Sequence, residues 1–186
     1  RQMPDFRRDI AHVERARSDG ERCTVPLVSP RPVDRPVLGW REWVSLPRWD
    51  VAHLKAKIDT GARTSSLHAF DLEWFDRHGR PWVRFEIHPW QRSTADAVVA
   101  KAAVVSTRDV RSSSGEIDHR PVVRVPMTIA GTDVDAEITL TRRDEMGFRM
   151  LVGREAIRGR FLVDPGVSYL GGRPPKDVRL KNRRRS

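Results

Sequence analysis

The sequence predicts an all-β domain, a closed barrel or a sandwich of short strands. Three observations predict it. Apolar and polar residues alternate with period two through several segments between residues 51 and 141. Glycine and proline punctuate those segments. One stretch alone, Arg154-Glu155-Ala156-Ile157-Arg158-Gly159, reads as a helix, and it is short. With 186 residues, 38% hydrophobic and 32% charged, the chain holds one main domain of ordinary size and polar globular composition.

Residues 1–36 have mixed charge, four prolines after Cys23 and little periodicity, and read as an extension or linker with no signal-peptide core. Residues 37–172 carry the strands. Ala52, Leu54, Ala56 and Ile58 fall on one face of a strand, with Val51, His53, Lys55 and Lys57 on the other. Phe70, Leu72 and Trp74 alternate, as do Val83, Phe85 and Ile87, and the turn Arg77-His78-Gly79-Arg80-Pro81 makes the two runs a hairpin. Residues 97–106, 121–129 and 133–141 continue the pattern, the last two joined through Ala130-Gly131-Thr132. Residues 173–186 form a basic C-terminal tail.

The net charge of +10 is unevenly spread. Residues 1–36 hold 8 basic and 6 acidic side chains, residues 37–172 hold 20 and 18, and residues 173–186 hold 7 and 1. The body is close to neutral, so the tail reads first as a solvated end and second as a weak electrostatic attachment to RNA, ribosomes or an acidic partner. All six tryptophans lie between 40 and 90. With one tyrosine and no interleaved Lys/Arg cluster, they suit core or interface packing better than a nucleic-acid ladder. No run approaches the roughly 20 apolar residues of a membrane span. The single cysteine, Cys23, excludes an internal disulfide and a Cys-based zinc cluster. It fits a reducing compartment, so a cytoplasmic location is expected.

The chemistry centres on Ala56-Lys57-Ile58-Asp59-Thr60-Gly61-Ala62, where an apolar strand runs into an acid, a hydroxyl and a glycine. Alone, this is also what an Asp-initiated turn looks like. A second segment, Met150-Leu151-Val152-Gly153-Arg154, sets an apolar strand before Gly and Arg. Together they resemble the two hallmark segments of retropepsin-like aspartic proteases. Residues 39–47, 56–69, 111–123, 150–157 and 161–166 are more similar still to one bacterial branch, long labelled ATP-dependent zinc proteases and associated with RimK-type glutamate ligases. The resemblance covers about residues 37–172.

The resemblance implies a retropepsin-like closed barrel with a flap hairpin and one short C-terminal helix, acting as an aspartic endopeptidase. Such an enzyme needs two carboxylates a few ångströms apart. Like charges that close cannot both ionise, so the pair holds one proton and one water between them. Asp59 is the implied catalytic acid, supported by Thr60, Gly61 and Ala62, with Gly153 and Arg154 as structural partners. Asp164-Pro165-Gly166 lacks the hydroxyl residue and reads as a turn, so the second acid must be Asp59 of another copy, in a C2 homodimer. Ser113, Ser114, Gly115 and Glu116 are the implied flap, closing over substrate.

One position departs from the retroviral pattern, in which an acid after Asp-Thr-Gly-Ala pairs with the Arg of the second segment. Here that position is Arg63. Arg154 then needs another partner, and Arg63 becomes a candidate for binding acidic substrate, with Arg111, Arg142 and Arg143 as weaker ones. The glutamate-ligase association implies trimming of oligo-glutamate tails on a ribosomal protein, with the ligase or the ribosome as partner. No cofactor is expected: the histidines (His12, His53, His68, His78, His88, His119) are scattered, and neither a His-Glu-x-x-His helix nor a P-loop is present. Two rivals stand beside this reading. One is a non-catalytic protein of the same fold that docks an acidic tail or the ribosome. The other is an RNA-binding module led by the basic tail.

Overall fold

A computed structural model describes residues 35–91, 93–111, 117–141 and 147–183. The alternating segments become strands β1 (Val37–Gly39), β2 (Arg41–Leu46), β3 (Val51–Asp59), β4 (Ser65–His68), β5 (Phe70–Asp76), β6 (Pro81–Ile87), β7 (Val98–Arg111), β8 (Ile117–Ile129), β9 (Thr132–Thr141), β10 (Met150–Gly153) and β11 (Leu162–Asp164). Helix α1 (Arg154–Ile157) follows β10, and α2 (Lys176–Arg183) lies in the basic tail.

Six strands close the expected barrel in the order β2-β3-β10-β4-β9-β8. The seam between β8 and β2 is made by Val44 opposite Ile129 and Ser45 opposite Thr128. Strands β7, β6 and β5 extend the same sheet beyond β8, while β1 and β11 form a separate parallel pair. Among the described residues no helix is long and apolar enough to cross a membrane.

The core is the inward face of those strands. Val83, Phe85 and Ile87 of β6, Val123, Val125, Met127 and Ile129 of β8, and Val134, Ala136, Ile138 and Leu140 of β9 are all buried. Each large side chain among them contributes about 1.5–3 kcal/mol by leaving water. The turn between β8 and β9 is tighter than the sequence suggests. Ile129 already pairs with Thr132, leaving two turn residues, Ala130 at φ 47° and Gly131 at φ 74°. Positive φ at both positions is the twist a two-residue hairpin needs.

Several expectations need correction. In β3 the buried residues are Val51, Leu54, Ala56 and Ile58, while Ala52 is exposed. The ladder with β2 slips between Val44 and Leu46, and one extra residue on β3 inverts the alternation before Leu54. In β5 a similar slip between Phe70 and Glu73, with Asp71 at φ 45°, moves Phe70 opposite Glu86, away from the core face. Trp74 stays opposite the buried Val83 but is 46% exposed because β5 is the edge strand. Of the tryptophans only Trp49 joins the core, edge-on to Phe85 at 5.2 Å with its indole N–H donating to the Lys101 carbonyl. The tail, expected as a solvated end, carries α2.

Candidate active site

Asp59 is the last residue of β3, and its place is fixed from two directions. Along the chain, Ile58 points into the core, which turns the half-buried Asp59 to the other face. Across the sheet, β10 runs parallel to β3 with Gly153 opposite Asp59, and antiparallel to β4. The Asp59 Oδ1 accepts hydrogen bonds from the backbone N–H groups of Gly61 and Ala62, both at 3.1 Å. This is the Asp-initiated turn, and here it also aims the carboxylate.

The loop after Asp59 is clamped by the start of α1. Arg154 N–H donates to the Ala62 carbonyl at 2.8 Å and Glu155 N–H to the Arg63 carbonyl at 3.0 Å. The Arg154 guanidinium donates to the Thr60 carbonyl at 3.2 Å, so a backbone oxygen serves where the sequence suggests an acid. Gly153 N–H donates to Ser65 Oγ at 3.1 Å. A Cβ at Gly153 would fall 2.3 Å from the Thr64 carbonyl carbon, a distance no side chain can occupy. At Gly61 the same atom would stand 3.4 Å from Asp59 Oδ1, an ordinary contact. The close approach in this site therefore belongs to Gly153.

Arg63 forms an ion pair with Glu155, its Nε 2.7 Å from Oε1, with the two side chains 70% and 42% exposed. The hydrogen bond and charge of Glu155 raise the Arg63 pKa above its usual value. Conversely, the hydrogen bond from Arg63 holds the Glu155 carboxyl below the ordinary carboxylate range, against the opposing effect of partial desolvation. Thr60 and Gly61 are exposed at the tip of the loop.

Asp164 is not joined to this site. The Asp164 Oδ1 accepts from Gly166 N–H at 2.8 Å, which makes it the expected turn. No hydrogen bond among the described residues joins it to Asp59. The implied flap, Ser113, Ser114, Gly115 and Glu116, lies outside the described residues, as do Arg142 and Arg143. The strands on either side of that flap pair as far as Arg111 opposite Ile117. Among the described residues no three His, Cys, Asp or Glu side chains converge on a metal-sized point.

Sequence reasoning missed Glu42. It is fully buried, with Oε1 accepting from Gly39 N–H at 2.6 Å and Leu170 N–H at 2.9 Å, and Oε2 accepting from Gly171 N–H at 3.1 Å. It ties β1 and β2 to the chain that follows β11. The signal was present, because Glu42 shares its parity with the buried Val44 and Leu46.

Comparison with known proteins places this arrangement. The family model described as retropepsin-like aspartic endopeptidase RimB matches residues 37–174. Proteins named probable alpha-L-glutamate ligase from Shewanella halifaxensis and Shewanella pealeana are each 43% identical over 136 residues, 73% of this chain and 30% of theirs. One of the same name from Desulfotalea psychrophila is 38% identical over 145 residues, 78% of this chain and 31% of its own. The chain thus spans less than a third of the length of these curated relatives. A solved structure of a Legionella pneumophila protein of unknown function superimposes with a TM-score of 0.62 at 25% identity, covering 73% of this chain and 98% of that one. With a family match across the whole barrel, from β1 to the residues after β11, and Asp59 and Gly153 side by side within it, the chain belongs to the RimB-like family of retropepsin-like aspartic endopeptidases.

Proposed function

We propose that the protein is an aspartic endopeptidase whose dyad is Asp59 and its copy from a second chain. The observation that carries this reading is the held carboxylate: Asp59, half-buried at a strand end, takes two backbone N–H bonds from a loop that β10 and α1 clamp. One chain contributes one such acid, and a C2 axis through the exposed Thr60–Gly61 tip would bring in the second. In the pair, the ionised carboxylate takes a proton from water as the water oxygen attacks the scissile carbonyl, and the protonated partner donates to the carbonyl oxygen. Collapse of the tetrahedral species breaks the C–N bond, and the amide nitrogen leaves with a proton. The products are one acid and one amine, and the dyad again holds one proton.

The acidic substrate class has two supports. Relatives that contain this domain carry the name glutamate ligase, so glutamate chains are a natural object for a neighbouring hydrolase. Two exposed cations stand near Asp59, Lys57 two residues earlier on the same strand face and Arg63 in the loop itself, with Glu155 the exposed acid paired to Arg63. Arg63 shares its charge with Glu155 yet keeps most of its side chain in solvent. We therefore place oligo-glutamate tails of a ribosomal protein first among substrates, the RimK-type ligase or ribosome among partners, and the reaction in the cytoplasm.

The test is mass spectrometry of a peptide ending in several glutamates, incubated from acid to neutral pH with wild type, with Asp59→Asn, and with wild type plus a chelator. Cleavage that persists with chelator and vanishes in the variant is the expected result. Glutamate peptides left whole by a dimeric sample, while an unrelated peptide is cut, would overturn the substrate. No cleavage of any peptide, with binding retained by Asp59→Asn, would favour the non-catalytic rival.

A further inference from the structure

Away from Asp59, a cleft of about 430 Å³ opens between the outer face of β2 and β3, residues 89–91 and the start of α2. Its charged lining is entirely cationic: Lys55 from β3, Arg173 before α2, and Lys176 and Arg179 on α2. Its floor is aromatic, with Trp43 5.8 Å from Trp90 and 6.2 Å from Tyr169 between ring centroids. The excess charge of the C-terminal segment is therefore folded onto this cleft in part.

We propose that this cleft binds acidic peptide, a run of Glu or Asp carboxylates held by the Lys55, Arg173, Lys176 and Arg179 side chains. Arginine and lysine together match carboxylates well, the first by paired N–H donors and the second as a mobile point charge. The aromatic floor favours this ligand over nucleobases. Arg41 and Arg173 lie over the Tyr169 ring at 5.0 and 4.6 Å, and Lys55 lies 5.7 Å from the centre of Trp43. The Tyr169 and Trp43 faces are thus engaged by the chain's own cations, which holds those cations in place and leaves less face for a base to stack on.

The cleft also points somewhere. Lys55, Lys57 and Asp59 share one face of β3, so the cleft lies four strand residues, roughly 13 Å, from the acid. An extended peptide anchored at α2 can run past Lys57 to Asp59. The inference rests on the charge of the cleft and not on hydrolysis, and its test uses the Asp59→Asn chain so that failure of either reading leaves the other standing.

The experiment is fluorescence anisotropy of fluorescein-labelled hexaglutamate titrated with Asp59→Asn protein. Binding that weakens as salt rises is expected, with Lys176→Glu and Arg173→Glu each lowering affinity by about fivefold, the upper range for solvent-exposed ion pairs. Both side chains are exposed, and Lys176→Glu adds an acid in the first turn of α2, where the helix dipole favours it. Lys101→Glu, an exposed lysine on β7 outside the cleft, should leave binding unchanged. Equal weakening by Lys101→Glu would reduce the effect to overall charge and overturn the proposal. Unchanged affinity in both cleft variants would also overturn it, as would an oligouridylate probe that binds more tightly than hexaglutamate and loses more on reversal.

Discussion

Arg63 and Glu155 stand 2.7 Å apart, joining the Asp59 loop to α1 with the charges exchanged from the retroviral arrangement. There the loop supplies the acid and the second segment the arginine. Here the loop supplies the arginine, the acid sits one residue further along, and Arg154 turns to the Thr60 carbonyl. The link between the segments is kept as an arginine–acid pair, with the two residue types on exchanged sides.

This pair makes a pH prediction. Because Arg63 lowers the folded-state pKa of Glu155, the unfolded chain binds that proton more tightly. The contribution of the pair is therefore present above the ordinary carboxylate range and lost as pH falls through the folded value. In an NMR titration, the Glu155 midpoint should move up toward its unperturbed value in Arg63→Ala, and partly so in wild type at high salt. A midpoint unmoved in the variant would mean the contact is not populated.

Gly153 should tolerate no side chain. With a Cβ placed 2.3 Å from backbone at Thr64, Gly153→Ala must part β10 from the loop, at a cost of about 3 kcal/mol. Gly61→Ala, whose Cβ meets Asp59 Oδ1 at 3.4 Å, should cost less than about 1 kcal/mol. Urea denaturation midpoints compare the two, and equal losses would contradict the geometry.

Glu42→Ala strands three N–H groups and should destabilise the chain by about 3 kcal/mol. Glu73→Ala removes an exposed partner of Arg84 and should stay within about 0.5 kcal/mol. The same denaturation series reads both.

Asp59→Asn keeps an oxygen able to accept from Gly61 and Ala62, so its melting temperature should match wild type while cleavage falls by about three orders of magnitude. Mixing it with an equal amount of wild type tests the shared site. Random pairing should halve the activity per wild-type chain, roughly, as inactive mixed dimers form. Activity per chain unaffected by mixing would mean each chain acts alone.

Much of the sheet was legible because period two is a local signal. Val83, Phe85 and Ile87 alternate without interruption and are buried as read. The reading slipped where a bulge shifted parity, at Val51 and Ala52 and again at Phe70, because an unpaired residue shows in the ladder and not in the composition. The Asp59 segment stood out by its residue types. Its support did not, since Arg63 and Glu155 are 92 positions apart and Glu42 reaches 128 and 129 positions to its acceptors' donors. Helix α2 was hidden by its own charges, which resemble those of a solvated end.

The parallel insertion of β10 between β3 and β4 also sets an order of events during synthesis. Asp59 leaves the ribosome long before the strand that holds its loop, for Thr60 and its Arg154 donor are separated by 94 positions. Every nascent chain that ends short of β10 lacks the clamp, whatever else has folded. A fragment released before β10 is made would therefore carry the acid without its setting, and the Asp59 loop takes its clamped form only once β10 and α1 have emerged.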